Sequence, residues 1–165
     1  MPAWPDFFIC MVNMKKIPDP PERVYFLYAD DDPDDQEFFR SMVADIDPQL
    51  DVVMVNNGLE LLQYLNTVEQ AEKLPCCVVL DINMPIWDGI RTLKALKVED
   101  KLKSLPVIMF TTSRSLRDNE LCLRLGAQAF ITKPVNHKEF ESLYHRFTDV
   151  CRNTRGENRP GERPD

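Results

Sequence analysis

The segment CCVVL at residues 76–80 is apolar at every position and is followed at once by a carboxylate, Asp81. Its shortness and its β-branched valines favour a strand. A strand without alternation of polar and apolar residues is expected to be covered on both faces, as in parallel sheets. The segment therefore predicts an inner strand of a parallel sheet, with Asp81 at its carboxyl end.

Similar apolar runs lie on both sides of this segment and alternate with stretches of helical periodicity. The other predicted strands are at residues 24–29, 50–55, 106–110 and 129–131. Two of the predicted helices show their apolar side chains at helical spacing as Phe38, Phe39, Met42 and Val43, and as Ile90, Leu93 and Leu96;. Five strands that alternate with five helices predict an α/β fold, a doubly wound parallel five-stranded sheet of (βα)5 type.

Several residues mark where the predicted helices begin and end. Asp32 followed by Pro33 has the pattern of an N-cap and a first helical position. Gly126 is expected to end a helix at residues 116–125. The leucines of that helix are expected to lie in the core; they are Leu116, Leu121, Leu123 and Leu125.

Composition and charge exclude several classes of protein. The chain has 165 residues, 44% of them hydrophobic, and its 27 acidic and 20 basic side chains give a formal net charge of −7. General nucleic-acid binding needs a basic face that displaces counterions from phosphates. No apolar run approaches the roughly 20 residues that span a bilayer. We therefore expect no nucleic-acid partner and no membrane association.

The five cysteines have neither disulfide-framework nor metal-site spacing. Their number is odd, and Cys76 and Cys77 are adjacent in an apolar strand. Such cysteines usually behave as small buried hydrophobic residues. They are therefore expected to be reduced, and the protein to be cytoplasmic.

The two ends of the chain differ from its middle. Residues 1–22 end in a proline-rich lead-in and are predicted to be an N-terminal extension;. Residues 152–165 carry no apolar side chain that burial could stabilise, so residues 151–165 are expected to be a flexible tail;. Residues 23–150 form the expected domain.

Polar side chains follow four of the predicted strands. Asp30 and Asp31 follow the first strand, Asp81 the third, Thr111 the fourth and Lys133 the fifth. Ligands of open parallel sheets bind beyond the carboxyl ends of the strands, so these groups are expected to meet. Clustered carboxylates repel one another and attract a hard cation such as Mg²⁺. The set suits phosphoryl transfer to Asp81, with the lysine and hydroxyl as stabilising groups.

Four segments carry a family resemblance: LYADDDP at 27–33, VVLDINMPIWDG at 78–89, PVIMFTTS at 106–113 and FITKP at 130–134. In order and separation they resemble the receiver domain of two-component response regulators over about residues 23–150. The D-x-x-M-P-x-x-D-G string that begins at Asp81 is highly specific. The resemblance implies a flavodoxin-like fold with strand order 2-1-3-4-5, in a stand-alone receiver of the chemotaxis type.

The resemblance also implies roles for the acidic residues. Asp81 is expected to be the phosphoacceptor and Asp31 a direct ligand of Mg²⁺, with Mn²⁺ as an alternative ion. Asp30 is expected to act on the ion largely through water, and the backbone carbonyl of Asn83 to be the third protein ligand. Asn83 and Ser113 occupy positions that tune the lifetime of the phosphoryl group in the family.

Three further positions match the family pattern at the other strand ends. Thr111 resembles the switch hydroxyl, and Lys133 resembles the phosphate-binding lysine. Pro134, which follows that lysine, is expected to have a cis peptide bond. Phe130 occupies the position of the switch aromatic residue.

The function that follows from the resemblance is a phosphorylation switch. A sensor histidine kinase or a histidine phosphotransfer protein is the expected donor, and Mg²⁺ the expected cofactor. The phosphoryl group is expected to bias a protein-binding surface on helix 4, strand 5 and helix 5. No enzymatic output is expected beyond self-phosphorylation and dephosphorylation, because the chain leaves no room for an effector after Phe147. Either a monomer or a phosphorylation-dependent dimer fits, and the downstream protein target is unspecified.

Two other functions stay open. A small aspartate-based phosphatase of the haloacid dehalogenase type needs a D-x-D-x-[TV] string after the first strand, and residues 30–34 lack the Thr or Val. A phosphorylation-independent adaptor would use only the scaffold, although the site residues are complete. Asp32, Asp34 and Asp35 are interpreted as acids that favour a helix N-terminus.

Overall fold

A computed structural model describes residues 17–154, with side chains as far as Arg152. The strands are Tyr25–Ala29 (β1), Asp51–Val55 (β2), Cys77–Leu80 (β3), Val107–Thr111 (β4) and Ala129–Thr132 (β5). The helices are Pro33–Ile46 (α1), Gly58–Thr67 (α2), Gly89–Val98 (α3), Leu116–Arg124 (α4) and His137–Thr154 (α5), and a 3₁₀ turn covers Ala71–Lys73. Each predicted strand is present, with its ends shifted by about one residue, a difference typical of boundary assignment.

The five strands form one parallel sheet in the order β2-β1-β3-β4-β5, which confirms the predicted flavodoxin-like topology. Ala29 at the end of β1 is in register with Leu80 at the end of β3. Thr111 at the end of β4 is likewise in register with Thr132 at the end of β5. Because the strands are parallel and end in register, the residues that follow them emerge at a single edge of the sheet.

The helices cover both faces of the sheet, which explains why its inner strands are apolar throughout. Helices α2, α3 and α4 pack on one face, with buried side chains that include Leu61, Leu62, Leu65, Leu93, Leu96 and Cys122. Helices α1 and α5 pack on the other face, where the buried side chains include Phe39, Met42, Val43, Phe140, Tyr144 and Phe147. Phe39 is the centre of an aromatic group on this second face, with ring centroids 4.5–6.3 Å from five other rings.

Side-chain caps fix the start of α1 and α3 at the sheet edge where the strands end. Asp32 accepts hydrogen bonds from the backbone N–H groups of Asp34, at 2.9 Å, and Asp35, which confirms it as the N-cap of α1. Asp88 accepts a hydrogen bond from the backbone N–H of Arg91 at 2.8 Å and caps α3. Each cap satisfies an otherwise unpaired donor of the first turn.

The prediction that the leucines of α4 lie in the core is wrong for two of the four. Leu116 is 78% exposed and Leu123 is 46% exposed, whereas Leu121 and Leu125 are half-buried. Positions 116 and 123 are seven residues apart and therefore share one helix face, and this face points to solvent. The side chain that α4 buries fully is Cys122.

The expectation of reduced cysteines is wrong for one pair. Cys76, just before β3, forms a disulfide with Cys151 in the last turns of α5, with the two Cα atoms 5.0 Å apart. Cys77 and Cys122 are free and buried, as expected. Spacing could not indicate the bond, because its partners are 75 residues apart and meet only through the fold;. Cys10 lies outside the described residues.

The last helix is longer than the sequence suggested. Helix α5 runs through Thr154 and so takes in residues 151–154, which were expected to belong to a flexible tail. The remainder of that tail, and residues 1–16 of the expected N-terminal extension, lie outside the described residues. Within residues 17–154, no helix combines the length and apolar character needed to cross a membrane.

Candidate functional site

Three carboxylates converge at the edge formed by the carboxyl ends of β1 and β3. Ala29 and Leu80 are paired in register, so Asp30 and Asp81 lie side by side, and the backbone N–H of Asp81 donates to the carbonyl of Ala29 at 3.1 Å. Asp30, Asp31 and Asp81 each place a carboxylate oxygen within 4.8 Å of the other two. Asp30 and Asp81 are buried and Asp31 is exposed, so the cluster opens to solvent on the side of Asp31.

The ammonium group of Lys133 joins these carboxylates to helix α1. Its Nζ lies 2.6 Å from Asp30 Oδ2, 2.7 Å from Asp35 Oδ2 and 3.2 Å from Asp81 Oδ2. Its backbone N–H donates to the carbonyl of Thr111 at 2.8 Å, which fixes the start of the loop after β5. The Lys133 side chain is only 9% exposed, so the ion pairs are poorly screened by solvent;.

The pKa of Asp81 is raised above its ordinary value. Burial of the carboxyl group raises this pKa most, the positive charge of Lys133 lowers it, and the negative charge of Asp30 raises it again. Hydrogen bonds from Lys133 and Thr111 lower it further, without cancelling the effect of burial. The site therefore holds Asp81 as a partly desolvated carboxylate that gains from an additional cation.

The pKa of Lys133 is also raised, although burial acts on it in the opposite direction. Burial alone lowers the pKa of its ammonium, but the hydrogen bonds to Asp30 and Asp35 and the charge of Asp81 outweigh burial and raise the pKa above the usual value. Lys133 is therefore positively charged at every physiological pH. A fixed positive charge beside Asp81 is suited to stabilising an anionic group there.

Two side chains that the sequence analysis did not single out support Asp30. The hydroxyl of Tyr28 donates to Asp30 Oδ2 at 2.5 Å, and burial together with the Asp30 charge raises the pKa of Tyr28. The amide of Gln36 donates to the backbone carbonyl of Asp30 at 2.6 Å and to that of Val55 at 3.2 Å. The backbone N–H of Asp32 donates to Asp30 Oδ1 at 2.9 Å. The contacts from Tyr28 and Asp32 hold the Asp30 carboxylate in one orientation, and Gln36 holds the backbone of Asp30.

The interpretation of Asp35 as a helix acid alone is wrong. Its carboxylate is one of the three partners of Lys133, because the first turn of α1 begins at the same edge of the sheet as the carboxylate cluster. Asp34, its neighbour in the same turn, is exposed, and its side chain has no ion pair among the described residues. Position in the first turn of a helix that starts at this edge was the signal that could have identified Asp35.

The expected switch residues occupy the neighbouring strands β4 and β5. Thr111 is fully buried, and its Oγ1 accepts a hydrogen bond from the backbone N–H of Ser113 at 3.3 Å. Phe130 is half-buried and packs on the cluster beneath α2, α3 and α4. The bond before Pro134 is trans, since no peptide bond within residues 17–154 is cis, so the expected cis bond is wrong. Trans is the lower-energy form of an X–Pro bond, and only the family resemblance had suggested otherwise.

The loop between β3 and α3 is held close to Asp81. The backbone N–H of Gly89 donates to the carbonyl of Ile82 at 2.8 Å, and a Cβ at Gly89 would lie 2.0 Å from the carbonyl oxygen of Asp81. The loop also contains Asn83, which is exposed, and Ile86, which has a φ of 68°. Such a φ is unusual for a β-branched residue and indicates local backbone strain.

The donor set fits a hard divalent cation. Three carboxylates within reach of one another, one of them exposed, supply the oxygen ligands that Mg²⁺ and Mn²⁺ prefer;. Asp30, Asp31 and Asp81 are thus brought together as predicted. The carbonyl of Asn83, expected to be a further ligand, lies in the adjoining loop.

Sequence comparisons identify relatives over most of the described chain. Residues 26–145 match the family model of the response regulator receiver domain. The transcriptional regulatory protein CpxR homolog of Haemophilus influenzae is 43% identical over 89 residues, which are 54% of this chain and 35% of the relative. An uncharacterised 14.6 kDa protein of Leptolyngbya boryana is 31% identical over 121 residues, 73% of this chain and 87% of the relative. The chain spans only about a third of the length of the first curated relatives that it matches.

Solved structures give the same result. The bacteriophytochrome response regulator AtBRR is 31% identical, with a TM-score of 0.64, and the match covers 79% of this chain and 94% of that one. The phosphorylated cyanobacterial phytochrome response regulator RcpA is 25% identical, with a TM-score of 0.68 and coverage of 80% and 96%. Both matches cover about four fifths of this chain and nearly all of the other.

Proposed function

The chain belongs to the response regulator receiver domain family, and from that premise we propose that Asp81 accepts a phosphoryl group from a phosphohistidine. The observation that carries the proposal is the Lys133 ammonium, 3.2 Å from the Asp81 carboxylate and beside two further carboxylates. A nucleophile, a fixed positive charge and a set of cation ligands are the groups that phosphoryl transfer to an aspartate needs.

The proposed reaction is a direct transfer to one oxygen of Asp81. That oxygen attacks phosphorus, the new O–P bond forms as the N–P bond of phosphohistidine breaks, and the leaving imidazole keeps the electron pair. Hydrogen bonds from the backbone N–H of Ile82 to Oδ1, at 2.8 Å, and from Lys133 to Oδ2 orient the carboxylate. The Thr111 hydroxyl and the Lys133 ammonium would contact the oxygens of the transferred group.

Receiver domains bind Mg²⁺ or Mn²⁺ at an acidic pocket, and a cluster of aspartates is present here. We assign Asp31, Asp81 and the carbonyl of Asn83 as direct ligands, with Asp30 acting largely through water. The bound ion supplies positive charge that offsets the repulsion between the carboxylates and the incoming phosphoryl oxygens.

The proposed output is a change of surface around α4, β5 and α5. Phosphorylation would draw Thr111 towards the phosphoryl group and let Phe130 turn inward behind it, while Asn83 and Ser113 would tune the lifetime. Two apolar side chains of this region are exposed to solvent, Leu116 by 78% and Val135 by 80%. They could contact a protein target.

The proposed partners are a sensor histidine kinase or a histidine phosphotransfer protein in the cytoplasm. We propose that the receiver acts as a stand-alone domain; the match with the L. boryana relative covers 87% of that protein. Output would then be binding to a downstream protein, or onward transfer of the phosphoryl group, by a monomer or a phosphorylation-dependent dimer.

Labelling with a small phosphodonor tests the proposal. Incubation with acetyl phosphate and Mg²⁺ should add one phosphoryl group to the wild type and none to Asp81→Asn, and a chelator should suppress the reaction. Asp88→Asn is the matched control, because it removes an exposed carboxylate from the same loop and keeps a capping side chain;. Equal labelling of wild type and Asp81→Asn would refute the assignment.

A further inference from the structure

We propose that Asp35 is a positioning residue that retains the Lys133 ammonium at the rim of the site when a divalent cation occupies the carboxylate cluster. The inference rests on the proposed function and adds a residue that the function as stated above does not use. It starts from the 2.7 Å contact between Asp35 Oδ2 and Lys133 Nζ.

The three carboxylates that contact Lys133 are of two kinds. Asp30 and Asp81 belong to the cluster that would hold the cation, and their side chains are 0% and 10% exposed. Asp35 lies outside that cluster and its side chain is 40% exposed. Lys133 is therefore held between an inner pair of carboxylates and one carboxylate at the solvent rim.

A divalent cation and the ammonium compete for the inner pair. Both are positive, so they repel each other, and both are attracted to oxygens of Asp30 and Asp81. If the cation displaces the ammonium, the Asp30 carboxylate cannot move with it, because hydrogen bonds from Tyr28 and the backbone N–H of Asp32 hold this carboxylate in place. Only a carboxylate outside the cluster can keep Lys133 charged, paired and close to Asp81 once the cation binds.

Asp35 meets this requirement because of its place in helix α1. The N-cap Asp32 fixes the first turn, and the turn starts at the edge of the sheet where the cluster lies. The ammonium can give up its inner contacts and keep the outer one with a small movement. Without Asp35, the ammonium would retain only the partners that the cation needs and would oppose cation binding more strongly.

Asp34 provides a matched control for this role. It lies in the same first turn, carries the same charge and has the same favourable interaction with the helix N-terminus;. Within the described residues its carboxylate has no ion pair with Lys133. Asp34→Asn and Asp35→Asn therefore remove equal charge, and they differ in the contact with the ammonium.

Titration calorimetry with MgCl₂, on the full chain and without phosphodonor, tests the role. Asp35→Asn should raise the Kd for Mg²⁺ about five-fold relative to Asp34→Asn, a coupling of ordinary size for residues in direct contact. Asp35→Glu, which keeps the charge, should stay within about two-fold of wild type. In a Lys133→Ala background, Asp35→Asn and Asp34→Asn should have the same effect on the Kd.

Two results would overturn the inference: equal shifts of the Kd for Asp35→Asn and Asp34→Asn, or a full effect of Asp35→Asn that persists with Lys133→Ala. Far-ultraviolet circular dichroism checks that each variant is folded, and Asp35→Glu supplies a second comparison. A wild type that binds Mg²⁺ but shows no contribution from Asp35 leaves the proposed function standing. A wild type that binds no Mg²⁺ contradicts both the proposed function and the proposed role of Asp35.

Discussion

At the scale of single residues, Asp81 is under two opposing influences. Burial raises its pKa, and the adjacent Lys133 lowers it, with burial the larger effect. A raised pKa in the folded state means that folding favours the protonated carboxyl group. The contribution of Asp81 to stability is therefore most favourable below the ordinary pKa of 3.8 and is lost as the pH rises through the raised pKa;.

Asp81→Asn tests this electrostatic cost, because asparagine cannot ionise. In a chelator at pH 7, we expect the free energy of unfolding of Asp81→Asn to be greater than that of wild type;. The difference should shrink as the pH falls through the raised pKa, where the wild-type carboxyl group becomes neutral. Urea unfolding at pH 7 and at a lower pH, where the wild-type carboxyl group is protonated, measures this difference in the free energy of unfolding.

The exposed Asp34→Asn serves as the control for this experiment and should change the free energy of unfolding by less than about 0.5 kcal/mol. An Asp81→Asn variant that is less stable than wild type at pH 7 would contradict the account. That result would mean that the ion pair with Lys133 outweighs the burial of Asp81.

At the scale of elements, the contact between α3 and the end of β3 sets the position of the acceptor. Gly89 begins α3 against the backbone of Asp81, and a methyl group there would lie 2.0 Å from a carbonyl oxygen. We expect Gly89→Ala to lower the free energy of unfolding by about 2 kcal/mol or more, and also to weaken Mg²⁺ binding, because the loop that carries Asp81 must shift.

Gly126→Ala is the matched control for Gly89→Ala. Gly126 has a φ of 106° after α4, so alanine is strained there and should cost about 1–2 kcal/mol;. It lies far from the carboxylate cluster along the chain, and its nearest neighbour is the side chain of Lys97. Mg²⁺ affinity should be unchanged in this variant; a parallel loss in both would show that stability alone controls the affinity.

The two helix layers should respond differently to loss of an apolar side chain. Phe39 in α1 is fully buried among five aromatic rings, so Phe39→Ala should cost about 3–5 kcal/mol;. Leu116 in α4 is 78% exposed, so Leu116→Ala should cost less than about 0.5 kcal/mol;. Denaturant unfolding compares the two, and a large loss for Leu116→Ala would place that side chain in the core after all.

At the scale of the whole molecule, the disulfide between Cys76 and Cys151 ties the end of α5 to the sheet across 75 residues. Closing a loop of this length restricts the unfolded chain, and the expected stabilisation is roughly 4 kcal/mol. Reduction should therefore lower the melting temperature by roughly 10 °C. It should also raise the number of titratable thiols by two.

Cys151→Ser separates this effect from other actions of the reductant. The variant should melt near the temperature of the reduced wild type, and reductant should not lower its melting temperature further. A wild type whose melting temperature and thiol count do not change on reduction would contradict the assignment of the bond.

The parts of the structure that the sequence predicted are those that depend on local pattern. Apolar runs such as residues 76–80 predicted the strands, and alternation with helices predicted the parallel order;. Because parallel strands end at one edge, the sequence also predicted that Asp30, Asp81 and Lys133 lie close together, and in the structure they are in contact.

The parts that the sequence did not predict depend on contacts between distant positions. Asp35 and Lys133 are 98 residues apart, and only the packing of α1 beside the loop after β5 brings them together. Cys76 and Cys151 meet in the same way through the docking of α5. The exposed face of α4 has another cause: the leucines predict burial, but they lie around the helix, and the side chain that α4 buries fully is Cys122;.

The central claim is that Asp81 is the phosphoacceptor, and chemical location of the phosphoryl group tests it most directly. The protein is treated with acetyl phosphate and Mg²⁺, and borohydride then reduces the acyl phosphate to an alcohol, which converts the modified aspartate to homoserine. Peptide mass spectrometry should find homoserine at position 81 and nowhere else. Homoserine at position 30, 31 or 35, or its absence from a protein shown to be folded, would contradict the account.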